Sequence, residues 1–161
     1  MAVVLAIGLL SWESNRYARL FRNSETLWDY NIQHNPNASL AYNNLGVAFA
    51  NRGQFPEAIE QFEQSLKIDS SNFLAHYSLG VALMQSGRLP EAITQFEQSL
   101  KIDSSNPLVH NNLGVALMQS GRLPEAITQF EQALRLKPEY ADARENLQQA
   151  ITRSTLDPAK N

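Results

Sequence analysis

The feature that most constrains this chain is an internal repeat with a period of 34 residues. Shifting the sequence by that distance aligns Gly46 with Gly80 and Gly114, and the twenty residues 79–98 recur unchanged as 113–132. Chance does not produce identity over such a length, so the unit has been duplicated. A chain of copies of one short unit buries its apolar surface between neighbouring copies, so we expect a stack of similar units.

Each copy carries the signals of two helices joined by a tight turn. Gly87 stands just past the first helix, where a positive φ is favoured. Pro90 suits the first turn of the second helix, where its missing N–H costs nothing, and Glu91 faces the positive end of the helix dipole. Asn72 and Asn106 are expected to cap the first helices that follow them. The same types recur in the other copies as Gly53, Gly121, Pro56, Pro124, Glu57 and Glu125.

Over residues 39–140 these positions resemble the tetratricopeptide-repeat (TPR) family. The family places Leu-Gly on the first helix and an alanine, an aromatic and a small residue on the second. In the middle copy these are Leu79–Gly80, Ala92, Phe96 and Ser99. The resemblance implies an all-α TPR α-solenoid, a right-handed superhelix of antiparallel helix pairs.

The 34-residue period predicts how the chain is divided into repeats and capping units. Three repeats are followed by one C-terminal capping helix and a polar tail, and they are preceded by an apolar N-terminal helix with a degenerate capping repeat. The corresponding ranges are 39–72, 73–106 and 107–140 for the repeats, 141–152 for the capping helix, 153–161 for the tail and 1–38 for the N-terminal unit.

The N-terminal segment Met1–Leu10 is uncharged and apolar. It is shorter than the roughly 20 residues that span a bilayer, so it is either the end of a membrane helix or a helix buried against protein. Residues 12–46 resemble the junction in membrane glycosyltransferase-like proteins, where a last membrane helix enters a non-cytoplasmic TPR array. This favours an extracytoplasmic or extracellular location. A cytoplasmic one is the alternative, because Arg16, Arg19 and Arg22 follow the apolar run.

Composition and motifs argue against several functions. The net charge of −3 gives no basic footprint for nucleic acid, and the absence of cysteine excludes thiolate metal sites. No phosphate-binding loop or hydrolase motif occurs, so we expect no enzyme, metal or cofactor. His76 and His110 share one slot of the repeat and are expected to pack between its two helices.

In a TPR solenoid the first helices line the concave face. In this sequence the positions that face it carry apolar or amide side chains. Chaperone-adaptor TPRs hold a C-terminal carboxylate with lysines and arginines in these slots, and such residues are absent. The slots expected to be exposed are Leu40, Asn43, Val47, Ala50, Asn51, Leu74, Tyr77, Val81, Met84, Gln85, Leu108, Asn111, Val115, Met118 and Gln119.

One position of the first helix carries asparagine in several repeats and resembles a peptide-binding position of another TPR protein. In the TPR array of O-linked N-acetylglucosamine transferase, one asparagine per repeat holds an extended peptide backbone. Asn44, Asn112 and Asn146 stand in that slot, and Ser78 interrupts the row. An amide donates and accepts hydrogen bonds at once, although it also satisfies local groups or faces water. The expected peptide-binding residues are Asn43, Asn44, Tyr77, Ser78, Met84, Asn111, Asn112, Met118 and Asn146.

Two functions follow, both non-enzymatic. The first is a protein scaffold that assembles head-to-tail with other copies of itself through its ends, forming a filament where the contact does not close. The second is a module that binds a peptide or protein partner as part of a membrane glycosyltransferase-like system. The residues expected to contact another copy, or a membrane, are Val3, Val4, Leu5, Ile7, Leu9, Leu10 and Trp12. The receiving surface is expected on residues 141–152 or around Met84 and Met118.

Overall fold

The computed structural model describes residues 24–156 as a row of α-helices without a strand in that range. Short turns join successive helices. The helices are α1 (Ser24–His34), α2 (Ser39–Ala50), α3 (Phe55–Ile68), α4 (Phe73–Gln85), α5 (Leu89–Ile102), α6 (Pro107–Gln119), α7 (Leu123–Leu136) and α8 (Ala141–Leu156).

The helices stack in pairs, one pair per repeat. The first helix of each pair packs on its second, giving α2 with α3, α4 with α5 and α6 with α7. Each second helix also packs on the first helix of the next pair, while α1 packs on α2 and α8 packs on α7. The expected all-α TPR solenoid is therefore confirmed.

The turns form as the sequence signals predict. Gly53, Gly87 and Gly121 have φ angles of 75°, 75° and 79°, the left-handed region that glycine enters without a steric cost. Asn72 caps α4 by accepting a hydrogen bond from the backbone N–H of Ala75 at 3.2 Å. At the start of α6, the capping residue Asn106 accepts one from the N–H of Leu108 at 3.0 Å.

The core of each repeat lies between its two helices and continues into the next repeat. Phe62, Phe96 and Phe130 are fully buried, one per second helix, and each ring lies against a glycine of the first helix. Buried serines tie the pairs further. Ser65 Oγ donates to the carbonyl oxygen of Ser39 at 2.8 Å, and Ser99 Oγ donates to that of Phe73 at 3.0 Å.

The last helix, α8, differs from the other first helices. Ala143 and Ala150 are buried, but Gln148 stands where the repeats have glycine and its side chain is exposed. The described helix continues past residue 152 to Leu156, so the start of the expected polar tail is helical. The reason is local, because residues 141–156 contain neither glycine nor proline to end the helix.

The expected apolar helix, with Val3 to Trp12, lies outside the described residues, and so do residues 157–161. Within residues 24–156, no helix has the length and apolar character needed to cross a membrane.

Candidate functional site

The first helices of the three repeats expose a row of leucines. Leu40, Leu74 and Leu108 stand one period apart in the first turns of α2, α4 and α6, with exposed fractions of 59%, 47% and 48%. Val47, two turns along α2 from Leu40, is also exposed. We call the surface made by α2, α4, α6 and α8 the inner face. Large apolar side chains that recur at equivalent exposed positions give it an apolar strip with one leucine in each repeat.

The first helices of neighbouring repeats contact each other, and polar side chains join two of these contacts. Asn112 Nδ2 donates a hydrogen bond to Tyr77 Oη at 3.0 Å, which links α6 to α4. One repeat further along, Asn146 Nδ2 donates to Asn111 Oδ1 at 3.0 Å and links α8 to α6. In both pairs the residues are 35 positions apart, so the two bonds are equivalent.

The contact between α2 and α4 lacks this bond. The equivalent pair is Ser78 and Asn43, and Ser78 is shorter than the asparagines at the other two positions. Asn43 is only 6% exposed, and its Oδ1 is buried without a hydrogen-bond partner. We call the α2–α4, α4–α6 and α6–α8 contacts the first, second and third seams. The first seam therefore holds an unsatisfied acceptor that the others do not.

Three slots expected to be exposed are buried instead. Asn43 and Asn111 lie in the seams, where the next first helix covers them. Met118 belongs to the apolar core cluster, which also contains Ala150 of α8. Met84 is half-buried and packs against the same cluster, so the two methionines do not form an open receiving groove.

The three asparagines of the expected ladder are half-buried on the inner face. Asn112 and Asn146 each use one N–H in a seam, and among the described residues their Oδ1 atoms make no further hydrogen bond. The amides are therefore partly occupied by the protein and retain capacity for a ligand. These seam bonds are absent from the sequence predictions, although polar pairs offset by one period plus one residue are the signal that reveals them.

Tyr77 stands at the middle of the inner face. Burial raises the pKa of its phenol above the ordinary value, and the hydrogen bond from Asn112 lowers it in part. Its ring lies 6.1 Å from that of Phe96, centroid to centroid, so the side chain joins the core to the surface.

The two equivalent histidines are structural, as the sequence predicts. His76 Nδ1 lies 2.7 Å from Gln95 Oε1 on the second helix of its repeat, and its Nε2 lies 3.2 Å from the carbonyl oxygen of Ser70. His110 makes the same two contacts with Gln129 and Ser104, at the wall of a groove of about 380 Å³ lined by α5, α6 and α7. Between Ser24 and Leu156, no three His, Asp or Glu side chains are grouped to hold a metal ion.

This fold and this face define a class of protein, a helical-repeat scaffold for protein–protein interaction. The family described as TPR repeat matches residues 48–87, 80–121 and 116–151, and the chain belongs to that family. The comparison with curated proteins found no match.

Several solved structures share the fold. MamA is similar with a TM-score of 0.79 at 20% identity, over 92% of this chain and 81% of that one. YrrB, described as a TPR protein with an unusual peptide-binding site, gives 0.74 at 22% identity over 88% and 72%. The second TPR domain of human RPAP3, solved with the HSP70 peptide SGPTIEEVD, gives 0.68 at 25% identity over 70% and 93%.

Proposed function

We propose that this protein binds an extended, uncharged peptide segment of a protein partner along its inner face. The observation that supports this most directly is the exposed row of Leu40, Leu74 and Leu108 on a face whose slots in the three repeats carry no charge. Fully burying an exposed leucine side chain contributes roughly 1.5–3 kcal/mol, and about half of each of these side chains remains to be buried, so each offers about half of that energy to a ligand.

The amides of the same face complement the leucines. Asn44, Asn112 and Asn146 are spaced along the stack, and an extended peptide presents N–H and C=O groups along its whole length. The leucines then contact side chains of the peptide, while the amides bond its main chain. Such a division gives affinity with modest sequence preference.

The similar RPAP3 domain supports peptide binding, but its peptide differs in chemistry from the ligand that we propose for this protein. The RPAP3 domain is in complex with a peptide that ends in Glu-Glu-Val-Asp, which carries several carboxylates. Here the inner-face slots of the three repeats contain no lysine or arginine to pair with them. We therefore propose an uncharged, apolar segment rather than an acidic C-terminus.

An array of synthetic twelve-residue peptides tests the proposal, with uncharged apolar sequences in one set and acidic C-terminal sequences in another. The full chain should bind members of the first set, and Leu74→Glu should weaken their binding at least tenfold, because it places a charge in the strip. The matched control is Ile102→Glu, since Ile102 is 43% exposed at the end of a second helix. Equal binding by wild type and Leu74→Glu would remove the inner face as the site.

A second candidate is head-to-tail self-assembly into a homo-oligomer, and exposed apolar groups on α8 favour it. Within the described residues, Leu156 is 79% exposed and Ile151 is also exposed. A neighbouring copy that docks there meets Gln148 where a repeat has glycine, so it cannot reproduce the packing inside the stack. The proposed contact is therefore centred on Ile151 and Leu156, the exposed large apolar residues of α8 in the described part of the chain.

Light scattering of the purified full chain tests assembly. The assembly proposal predicts an oligomer that dissociates on Leu156→Glu or on deletion of residues 1–11, with the helical signal retained. A monomer that partitions into liposomes would instead favour the membrane as the partner of residues 1–12.

A further inference from the structure

The three seams differ at one position, and that difference points to where a bound peptide is anchored. At the second and third seams, an asparagine on the later helix donates to the polar side chain of the earlier one. At the first seam the later residue is Ser78, and the acceptor Asn43 Oδ1 has no partner. A buried acceptor without a donor loses its hydration and gains nothing in return.

We propose that an N–H donor of the bound peptide enters beside Ser78 and bonds Asn43, so that the first seam fixes the register of the ligand. This inference rests on the proposed peptide-binding function. The donor takes the place that Asn112 Nδ2 occupies against Tyr77 one repeat later. Its source is either a main-chain N–H or the side-chain amide of an asparagine or glutamine, and both present the same chemistry.

The position of Ser78 makes the seam reachable from the proposed peptide path. Ser78 is half-buried on α4, four residues after Leu74, and residues with that spacing lie on one side of a helix. No hydrogen bond holds Asn43 Oδ1, and the terminal torsion of asparagine has a broad range, which allows the oxygen to turn toward an incoming donor. Ser78, the counterpart of Asn43 in the first seam, therefore lies on the same side of α4 as Leu74 of the leucine strip.

The proposed bond between the peptide and Asn43, called the anchor, also explains how a periodic face binds a peptide in a single register. Leu40, Leu74 and Leu108 recur every repeat, so the apolar contacts alone permit a peptide to shift by one unit. At the other two seams, the donor from the protein already occupies the equivalent acceptor. A polar contact available at one seam only removes that degeneracy, because a shifted peptide leaves Asn43 unpaired.

The substitution Ser78→Asn tests the proposal by supplying the missing donor from within the protein. We expect the array peptides to bind about tenfold more weakly, the effect of losing one buried hydrogen bond, while the thermal midpoint rises. The stability control is Ala133→Ser, which lies on a second helix and should leave peptide affinity unchanged. Unchanged affinity in Ser78→Asn would overturn the inference.

A second experiment identifies the donor and does not depend on that variant folding. Each main-chain N–H of a bound peptide is methylated in turn, and each of its asparagine or glutamine side chains is replaced by methionine. Modification at one position should reduce the affinity of the peptide for wild type about tenfold. The same modification should not reduce its affinity for Asn43→Ala further, because the acceptor is already gone. Equal losses in wild type and Asn43→Ala at every position would refute the anchor.

The outcomes separate the two proposals. If Leu74→Glu abolishes binding but Ser78→Asn and Asn43→Ala do not weaken it, the inner face binds peptide without this anchor. If wild type binds no peptide of the array, the proposed function fails and the anchor fails with it.

Discussion

The backbone of Gly80 lies directly against the ring of Phe96. A Cβ atom placed on Gly80 would lie 2.7 Å from Phe96 Cε1, a distance that real side chains do not adopt. The same contact recurs between Gly46 and Phe62 and between Gly114 and Phe130, at 2.6 Å in both. Each helix pair is therefore held at a separation that only glycine permits.

The substitution Gly80→Ala should destabilise the protein by roughly 1–2 kcal/mol, because overpacking a core costs about 1–3 and the better helix propensity of alanine returns up to about 1. Phe96 is fully buried and cannot move aside freely. Urea denaturation followed by circular dichroism measures the change.

The chain supplies its own control for that substitution. Gln148 occupies the glycine position of α8, and its side chain is exposed rather than packed against an aromatic ring. Gln148→Ala should change the stability by less than about 0.5 kcal/mol. A Gly80→Ala protein as stable as wild type would show that the helix pair separates easily at this contact.

A second pair of substitutions exploits a natural difference between repeats. Ser99 Oγ bonds the carbonyl oxygen of Phe73 across its helix pair, whereas the third repeat has Ala133 in the equivalent position. Ser99→Ala should cost about 1 kcal/mol, because it removes one buried hydrogen bond. Ala133→Ser should have the opposite sign, since it offers a donor to the carbonyl oxygen of Pro107. Denaturant midpoints of both variants measure this, and effects of the same sign would contradict it.

Much of this fold is predictable from the sequence because every packing contact recurs with the period. The helix pairs, the left-handed glycine turns and the burial of Phe62, Phe96 and Phe130 all follow from positions 34 residues apart. The pair formed by Gly80 and Phe96 also has an equivalent glycine and phenylalanine in each of the other two repeats. Once one repeat is understood, the others repeat its chemistry.

The inner face was less predictable, because exposure there depends on the next repeat rather than on the helix itself. The sequence predicts that Asn43 and Asn111 are exposed on their own helices, yet the first helix of the following unit covers both. Their hydrogen-bonding state differs because the partner is Ser78 in one seam and Asn146 in the other. Residues 35 positions apart belong to different positions of the 34-residue repeat, so the repeat pattern alone does not pair them.

The loops before α4 and α6 make stability sensitive to acid. Asp69 accepts hydrogen bonds from the hydroxyl of Ser71 at 2.7 Å and from its backbone N–H at 3.0 Å, and these lower the pKa of the carboxyl below its ordinary value of 3.8. The same bonds from Ser105 lower the pKa of Asp103. A lowered pKa in the folded state stabilises the fold above pH 3.8, and this contribution is lost as the pH falls through the lowered value.

The substitution Ser71→Ala should therefore raise the pKa of Asp69 toward its ordinary value and leave that of Asp103 where it is. Carboxyl carbon shifts followed by NMR in an acid titration measure both groups in one sample. The unchanged Asp103 is the internal control, because its loop has the same geometry one repeat away. A pKa of Asp69 that does not move would show that the serine hydroxyl is not the cause.

The bond between Asn112 and Tyr77 should couple the second and third repeats energetically. In a double-mutant cycle of Tyr77→Phe and Asn112→Ser, we expect a coupling energy of roughly 0.5–1.5 kcal/mol, because either change alone removes the same hydrogen bond. Tyr77→Phe combined with Ser65→Ala, which breaks a separate bond in the first repeat, should be additive. Asn112→Ser should also raise the pKa of Tyr77 further, since burial remains while the hydrogen bond that lowers it is lost. Ultraviolet titration of the tyrosines measures that shift. A coupling energy near zero, with an unchanged tyrosine titration, would mean that the second seam is held by apolar contacts alone.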